Sequence, residues 1–159
     1  MDGKVTWNGN MVFEAVADSN MPILFDSPSD PSVPRKGPGP MEMVALTLAG
    51  CSAMDVISIL KKKQQDVTEF EVRVHGDRTD AYPKVYTRAR LEYRVTGHAV
   101  DEDSVQRAIE LSVEKYCPVH AMLSQVFPIE LAYVILEDEG QGSRRVVVEG
   151  NFMSPKEME

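Results

Sequence analysis

A long apolar segment restricts the possible folds of this sequence more than any other feature. From residue 43 to residue 60 the chain is apolar or small apart from Thr47, Ser52, Asp55 and Ser58. The segment approaches the length of a membrane span, but Asp55 lies within it and three lysines, residues 61–63, follow it directly. A helix that is apolar on nearly all sides belongs at the centre of a core. The sequence therefore predicts a central helix from about residue 41 to residue 65, covered on several sides.

Alternating apolar and polar residues predict strands on both sides of this helix. Strands are expected at residues 5–7, 11–13, 22–25, 69–75, 84–95 and 129–135. The turn Asn8-Gly9-Asn10 is typical of a hairpin. The longer strands are typical of an antiparallel sheet with one buried face and one solvated face of paired arginines and glutamates. A second helix is predicted to be capped by Asp101, Asp103 or Ser104 and to be interrupted or restarted at Pro118. This order of elements predicts an α+β fold.

The length of 159 residues makes one domain the default. Residues 1–136 are predicted to form this domain, and residues 137–159 to form an acidic C-terminal tail in which Arg144 to Val148 are candidates for an extra strand. Within the domain, residues 26–40 contain five prolines and two glycines. Prolines prevent regular backbone pairing, so this segment is predicted to be a constrained loop, of a length often found at functional sites.

The charge of the chain narrows the classes of partner. It carries 17 basic and 25 acidic residues, a formal net charge of −8. Phosphates of nucleic acids and anionic lipids would be repelled, so neither a nucleic-acid nor a membrane partner is expected. The first residues, Met1 to Lys4, lack the basic start and apolar run of a signal peptide. A cytoplasmic location is therefore predicted.

The two cysteines, Cys51 and Cys117, are too few for a disulfide scaffold or a closed four-cysteine zinc site. Cys117 precedes Pro118 and is a candidate N-cap residue, where the start of a helix favours a thiolate. Cys51 lies nearly three turns inside the central helix, so a cation from elsewhere would have to activate it. His120 follows Cys117 at helical spacing, but no metal site is predicted. The residues alone leave two interpretations open, inert core cysteines or a reactive pair.

Two motifs around these cysteines resemble those of the OsmC/Ohr family. In the segment PMEMVALTLAGCSA, Pro40 precedes Cys51 by eleven residues, as in the family motif in which a proline opens a long helix and a small-small-Cys run follows. Tyr116-Cys117-Pro118-Val119 resembles the Cys-Pro-Val motif of the second helix. The resemblance covers roughly residues 3–136, and the run CSAMDVISIL is most similar to the YhfA-like branch.

The resemblance implies an OsmC-like fold, in which antiparallel sheets wrap around two central helices of an intertwined homodimer. It also implies a thiol-dependent peroxidase of the oxidative stress response that acts on organic hydroperoxides. Cys51 would be oxidised to a sulfenic acid and Cys117 would condense with it to a disulfide. A dithiol reductant, a lipoylated protein in the family, would then restore both thiols. No cofactor is expected.

The sequence departs from the family at the groups that activate the thiolate. A glutamate directly after the proline partners an arginine in the well-studied peroxidases, whereas Met41 occupies that position here and Glu42 follows one residue later. One residue is about 100° of helix rotation, which turns Glu42 away from the expected direction. Arg35, in the preceding loop, is the candidate arginine. Asp55, one turn after Cys51, is a candidate for substrate contact or for a structural pair.

Two alternatives to a peroxidase remain open from the sequence. The first is a non-catalytic OsmC-like dimer that binds an apolar ligand, with cysteines that are structural or redox-sensing. The second is an interaction protein that uses the tail, residues 137–159. A disulfide between Cys51 and Cys117 after exposure to a hydroperoxide would favour the peroxidase over both.

Overall fold

The computed structural model of the chain describes residues 1–28 and 30–152. Its strands and helices are, in chain order, β1 (Gly3–Trp7), β2 (Val12–Ala17), β3 (Ile23–Asp26), α1 (Pro40–Lys62), β4 (Asp66–Arg78), β5 (Tyr86–His98), α2 (Glu102–Leu111), α3 (Pro118–Leu123), β6 (Ile129–Gly140) and β7 (Ser143–Phe152). A π-helical turn, Ser112–Tyr116, connects α2 to α3. The predicted α+β class is confirmed. The chain divides into two compact units, residues 1–44 and residues from Ala45 onward; the single domain over residues 1–136 stays a prediction.

The N-terminal unit contains an antiparallel sheet of β1, β2 and β3 in that order. The predicted hairpin between β1 and β2 is confirmed, and its turn has positive φ angles, +87° at Gly9 and +48° at Asn10. In β3, the buried Asp26 contacts the loop that leads to α1. Its carboxylate accepts a hydrogen bond from the Lys36 amide at 2.9 Å, and its own amide donates to the Pro38 carbonyl at 3.2 Å. These bonds attach the proline-rich loop to the edge of the sheet.

The second unit contains a four-stranded sheet in the order β4-β5-β6-β7. The β4–β5 and β6–β7 pairs are antiparallel, but β5 and β6 are parallel. The prediction of wholly antiparallel sheets is therefore wrong in this part, and the sheet is mixed. The physical reason is the connection between β5 and β6, which runs through α2 and α3 and returns the chain to the end where β5 began.

One face of this sheet packs against the helices and forms the core of the second unit. The fully buried apolar side chains include Leu91, Tyr93 and Val95 of β5, Ile135 of β6, Val56 and Leu60 of α1, and Val105 and Ile109 of α2. The other face carries ion pairs between strands, such as Arg88–Asp77 at 2.6 Å and Arg144–Glu69 at 2.6 Å. The predicted solvated face is thus confirmed, and its exposed pairs contribute little to stability.

Helix α1 is less enclosed than predicted. Its buried residues, Leu48, Ala49, Ser52, Val56 and Leu60, recur at helical spacing along one side. On another side Leu46 is 52% exposed and Met54 is 75% exposed. The expectation of a helix covered on several sides is therefore wrong for the isolated chain, because the sheet and α2 cover a single stripe. Among the described residues, α1 is the one helix that is long and apolar enough to cross a membrane by length and composition.

The chain beyond residue 136 continues the sheet. Strand β6 extends to Gly140, and a short turn leads into β7, which includes Arg144 to Val148 and pairs with β6 in antiparallel register. Removal of residues 137–159 would therefore remove an edge strand. The last part of the predicted tail, residues 153–159, lies outside the described residues.

Candidate active site

The two cysteine side chains meet in the second unit. Cys117 lies 66 residues after Cys51 in the chain, yet its Sγ donates a hydrogen bond to the Cys51 Sγ at 2.9 Å. Both are free thiols, Cys51 half-buried and Cys117 buried. The proximity implied by the family resemblance is therefore observed. Formation of a disulfide, with S–S of about 2.05 Å, requires only a small movement of the two sulfurs.

A break in the helical backbone positions Cys117. In the π-helical turn the Cys117 amide donates to the Ser112 carbonyl, five residues earlier, at 2.8 Å. Pro118 then begins α3, and the Cys117 Sγ accepts a hydrogen bond from the His120 amide at 3.3 Å. The predicted N-cap position of Cys117 is confirmed. Turns of the π type occur often at functional sites because they shift side chains out of regular helical register.

The Cys117 thiol holds its proton strongly. Burial, followed by the hydrogen bond to Cys51, raises the pKa of Cys117 to about 12, and the His120 amide opposes these effects only in part. The sequence had suggested that the helix start would favour a thiolate here. That expectation is wrong, because α3 is only six residues long and the loss of hydration outweighs one backbone hydrogen bond. A protonated Cys117 agrees with its role as the donor to Cys51.

A chain of buried hydroxyl groups lies beside the sulfurs and ends on Asp55. The Ser112 Oγ donates to the Asp55 Oδ2 at 3.2 Å, and the Ser52 Oγ lies 2.9 Å from the Ser112 Oγ. Behind them, the Tyr93 hydroxyl lies 2.5 Å from the Ser52 Oγ. Burial raises the pKa of Tyr93 well above its usual range, so its phenol stays protonated and acts as a donor. Asp55 is therefore held by a polar chain that starts in β5.

Cys51, Asp55 and Cys117 form a group of three potential metal ligands. Their two Sγ atoms and one carboxylate oxygen lie within 4.8 Å of one another. Tetrahedral zinc with Zn–S bonds of about 2.3 Å separates two sulfurs by about 3.8 Å. The sulfurs here are 2.9 Å apart, so they would have to separate before both could bind one ion. The arrangement fits a hydrogen-bonded thiol pair.

The candidate activating pair, Arg35 and Glu42, forms in the N-terminal unit. The Arg35 Nη1 lies 3.1 Å from both carboxylate oxygens of Glu42. Glu42 also accepts a hydrogen bond from the Gly39 amide at 2.6 Å, as a glutamate in the first turn of a helix often does. The Gly39 amide and the Arg35 guanidinium lower the pKa of Glu42, although both side chains are half-exposed. The ion pair exists despite Met41, and its action on Cys51 stays a prediction.

Comparison with known proteins tests the resemblance. A family model described as OsmC-like protein matches residues 33–132, which contain both cysteine motifs. The chain belongs to the OsmC-like family. Protein YhfA of Escherichia coli K12 is 38% identical to it over 136 residues, which are 86% of this chain and 98% of YhfA. The predicted resemblance to the YhfA-like branch is confirmed.

Solved structures of other proteins agree with the fold described above. A hypothetical protein from Aquifex aeolicus VF5 superimposes with a TM-score of 0.75 at 27% identity, covering 87% of this chain and 97% of that one. An organic hydroperoxide resistance protein OsmC from Legionella pneumophila does so with a TM-score of 0.60 at 12% identity, covering 83% of this chain and 94% of that one. At that identity the second comparison supports the fold alone.

Within this OsmC-like fold, sequence reasoning found the thiols and Asp55 and missed the groups that hold them. Ser52, Tyr93 and Ser112 come from three different elements and are all fully buried. Ser52 carried a signal, since it is one of the few polar residues in the apolar segment of α1. Tyr93 and Ser112 occupy apolar positions of a strand and a helix, where periodicity alone predicts core packing.

Proposed function

We propose that the chain reduces organic hydroperoxides through a two-cysteine cycle. The observation that carries the proposal is the 2.9 Å separation of the Cys51 and Cys117 Sγ atoms. The Cys51 thiolate attacks the distal peroxide oxygen, the O–O bond breaks, and the alkoxide takes a proton and leaves as an alcohol. Cys51 is then a sulfenic acid. The Cys117 sulfur attacks it, the S–O bond breaks, and water leaves as the disulfide forms.

The order of attack follows from exposure and protonation. Cys51 is half-buried, so a peroxide has access to it, whereas Cys117 is 2% exposed. Burial also keeps the proton on Cys117 by raising its pKa to about 12. A buried, protonated thiol is a poor first nucleophile but is well placed to react with its neighbour. Cys51 is therefore assigned the peroxide reaction and Cys117 the second step.

The proposed substrate is an organic hydroperoxide because exposed apolar side chains follow each cysteine within a few residues of the chain. Met54 on α1 follows Cys51 by three residues, and Met122 on α3 follows Cys117 by five; both are exposed. Such side chains favour a peroxide with an alkyl group over hydrogen peroxide. The disulfide product requires a dithiol reductant, for which a lipoylated protein is the proposed source. The cytoplasmic location stays a prediction.

The direct test oxidises the reduced protein with one equivalent of cumene hydroperoxide and examines it by mass spectrometry. We expect a loss of two hydrogens per chain and a peptide crosslink between Cys51 and Cys117, reversed by dihydrolipoamide. An unchanged mass, with both cysteines open to alkylation after denaturation, would favour the non-catalytic dimer that binds an apolar ligand. A crosslink that the dithiol does not reverse would favour a redox sensor.

We also propose that the chain acts as a homodimer. The exposed side of α1 presents Leu46 and Met54 on the helix that carries Cys51. Isolated apolar residues are common on protein surfaces. Leu46 and Met54, however, belong to a helical segment whose residues are apolar on nearly all sides. A second copy of the chain, as is typical of the OsmC-like family, would cover this surface. The exposed Val5 and Trp7 of β1 are further candidates for such a contact.

Replacement of Leu46 by aspartate should shift the protein from two chains to one. A carboxylate at the centre of an apolar interface would lose its hydration without gaining a partner, which costs several kcal/mol. Size-exclusion chromatography with light scattering measures the mass. The matched control is Val147→Asp on β7, because Val147 and Leu46 are both 52% exposed. A single-chain mass for the unmodified protein, or two chains for L46D, would contradict the proposed dimer.

A further inference from the structure

The geometry points to Asp55 as the group that carries the proton of the Cys117 thiol to the hydroxyl leaving Cys51 during disulfide formation. The inference rests on the proposed two-cysteine cycle and assigns a catalytic role in its second step. It concerns a residue that the resemblance to the OsmC/Ohr family does not assign, since the family motif places its activating carboxylate near the start of the helix. Three observations support it: the protonation of Cys117, the position of Asp55 and the hydroxyl chain behind Asp55.

The second step needs a proton acceptor because Cys117 is not a thiolate. Burial is the leading cause of its raised pKa of about 12. This cause remains when Cys51 becomes a neutral sulfenic acid, whereas the effect of the Cys51 thiolate disappears. Burial therefore still holds the pKa of Cys117 above that of an ordinary thiol, and its sulfur is mostly protonated at neutral pH. Spontaneous ionisation would therefore limit the rate of disulfide formation.

Asp55 lies where an acceptor is required. One of its carboxylate oxygens is within 4.8 Å of both sulfurs. A single water molecule, or a small rotation of the side chain, spans such a distance, and hydrogen bonds of catalytic groups are often longer before the substrate binds. Because Asp55 is close to both sulfurs, one carboxylate can take a proton at Cys117 and return it at Cys51.

The hydroxyl chain fixes the direction of the carboxylate. The Ser112 Oγ donates to Asp55, so it accepts from the Ser52 Oγ, which in turn accepts from the Tyr93 hydroxyl. All three donors thus point toward Asp55. Ser112 is also the residue whose carbonyl accepts the Cys117 amide, so one residue positions both the carboxylate and the thiol. We assign Ser112 as a positioning residue.

The proposed step balances in atoms and electrons. The Cys117 S–H proton moves to the Asp55 carboxylate while the Cys117 sulfur attacks the Cys51 sulfur. The S–S bond forms, the S–O bond breaks, and the departing hydroxyl takes the proton from Asp55 and leaves as water. The Cys117 sulfur is oxidised and the sulfenic sulfur is reduced, so no further oxidant is needed. The transfer is downhill overall because hydroxide, the conjugate base of water with a pKa of about 15.7, is more basic than the thiolate.

The test separates the two chemical steps in time. Reduced protein is mixed with one equivalent of cumene hydroperoxide, quenched at intervals with dimedone, and analysed by mass spectrometry. We expect Asp55→Asn to slow disulfide formation about 10²-fold or more, the usual contribution of a positioned acid–base group. Dimedone should then label Cys51, because the sulfenic acid accumulates. Peroxide consumption in the first step should change far less. The matched control is Asp80→Asn, the same substitution at an exposed loop residue.

The pH dependence gives a second readout that a purely structural role would not change. Titratable groups that interact with Asp55 are Cys51 on α1, Cys117 before α3 and Tyr93 on β5. With Asp55 present, the rate of disulfide formation should depend only weakly on pH around neutrality, because the carboxylate takes the Cys117 proton directly. In Asp55→Asn the rate should rise about tenfold per pH unit, because Cys117 must ionise unaided below its pKa.

Several outcomes would overturn the inference while the proposed function stands. One is Asp55→Asn forming the disulfide at the unmodified rate and with the same pH profile. Another is an equal slowing of both steps, which would place the action of Asp55 on Cys51. A third is slower disulfide formation, without slower peroxide consumption, in His120→Gln but not in Asp55→Asn. If Asp55→Asn fails to fold, Asp55→Glu should retain fast disulfide formation and Ser112→Ala should slow it. If the unmodified protein consumes no hydroperoxide, the proposed function itself is wrong.

Discussion

Replacement of Cys51 by serine should abolish hydroperoxide turnover, with a loss of at least about 10³-fold in rate. A serine hydroxyl is almost never ionised at neutral pH, and alkoxide oxygen does not form the sulfenic acid on which the cycle depends. The measurement follows the disappearance of cumene hydroperoxide in the presence of dihydrolipoamide. The thermal unfolding temperature should change little, because Cys51 is only half-buried and serine has nearly the same shape.

The same variant tests the assigned order of the two thiols. Cys117 remains in Cys51→Ser, but it is buried and protonated, so it should not react with peroxide in place of Cys51. Dimedone labelling should therefore find no sulfenic acid. Labelling of Cys117 after one equivalent of hydroperoxide would reverse the assignment of the nucleophile. Turnover close to that of the unmodified protein would remove both cysteines from the mechanism.

Replacement of Cys117 by serine should leave one oxidation intact and stop the cycle there. Cys51 would be oxidised at a rate close to that of the unmodified protein, because Cys117 contributes only a hydrogen bond to the first step. Without the neighbouring sulfur no intramolecular disulfide forms. Sustained turnover should fall at least about 10²-fold, because the reaction between two positioned groups is lost. Stopped-flow measurement should show one equivalent of peroxide consumed, followed by a plateau.

The oxidised species that accumulates at the plateau in Cys117→Ser can be detected chemically. The Cys51 sulfenic acid should be labelled by dimedone in this variant and escape labelling in the unmodified protein, where the disulfide forms first. Sustained turnover without a plateau would show that the external dithiol reacts with the sulfenic acid directly. In that case Cys117 would be a structural residue, and the role inferred for Asp55 in the second step would fall with it.

The fold could be predicted wherever periodicity and local turn chemistry determine structure. The apolar segment around Cys51 predicted α1, and alternation predicted β4 to β6. Pro118 predicted the start of α3, with Cys117 as its N-cap residue. Periodicity does not report which strands become neighbours, so the parallel pairing of β5 with β6 was missed. It also does not report how much of a helix other elements cover, which is why the exposure of Leu46 was unexpected.

The candidate site shows the same difference between features that local sequence determines and features that tertiary packing determines. The sequence by itself determined the two thiols, their elements and the N-cap position of Cys117, because these depend on residue type and on neighbours a few positions away. Only the tertiary structure decided that the sulfurs are 2.9 Å apart and that Ser52, Tyr93 and Ser112 form a polar chain to Asp55. It also reversed the expected acidity of Cys117, since a thiol's pKa depends on the water removed around it, and burial is a property of the packed chain.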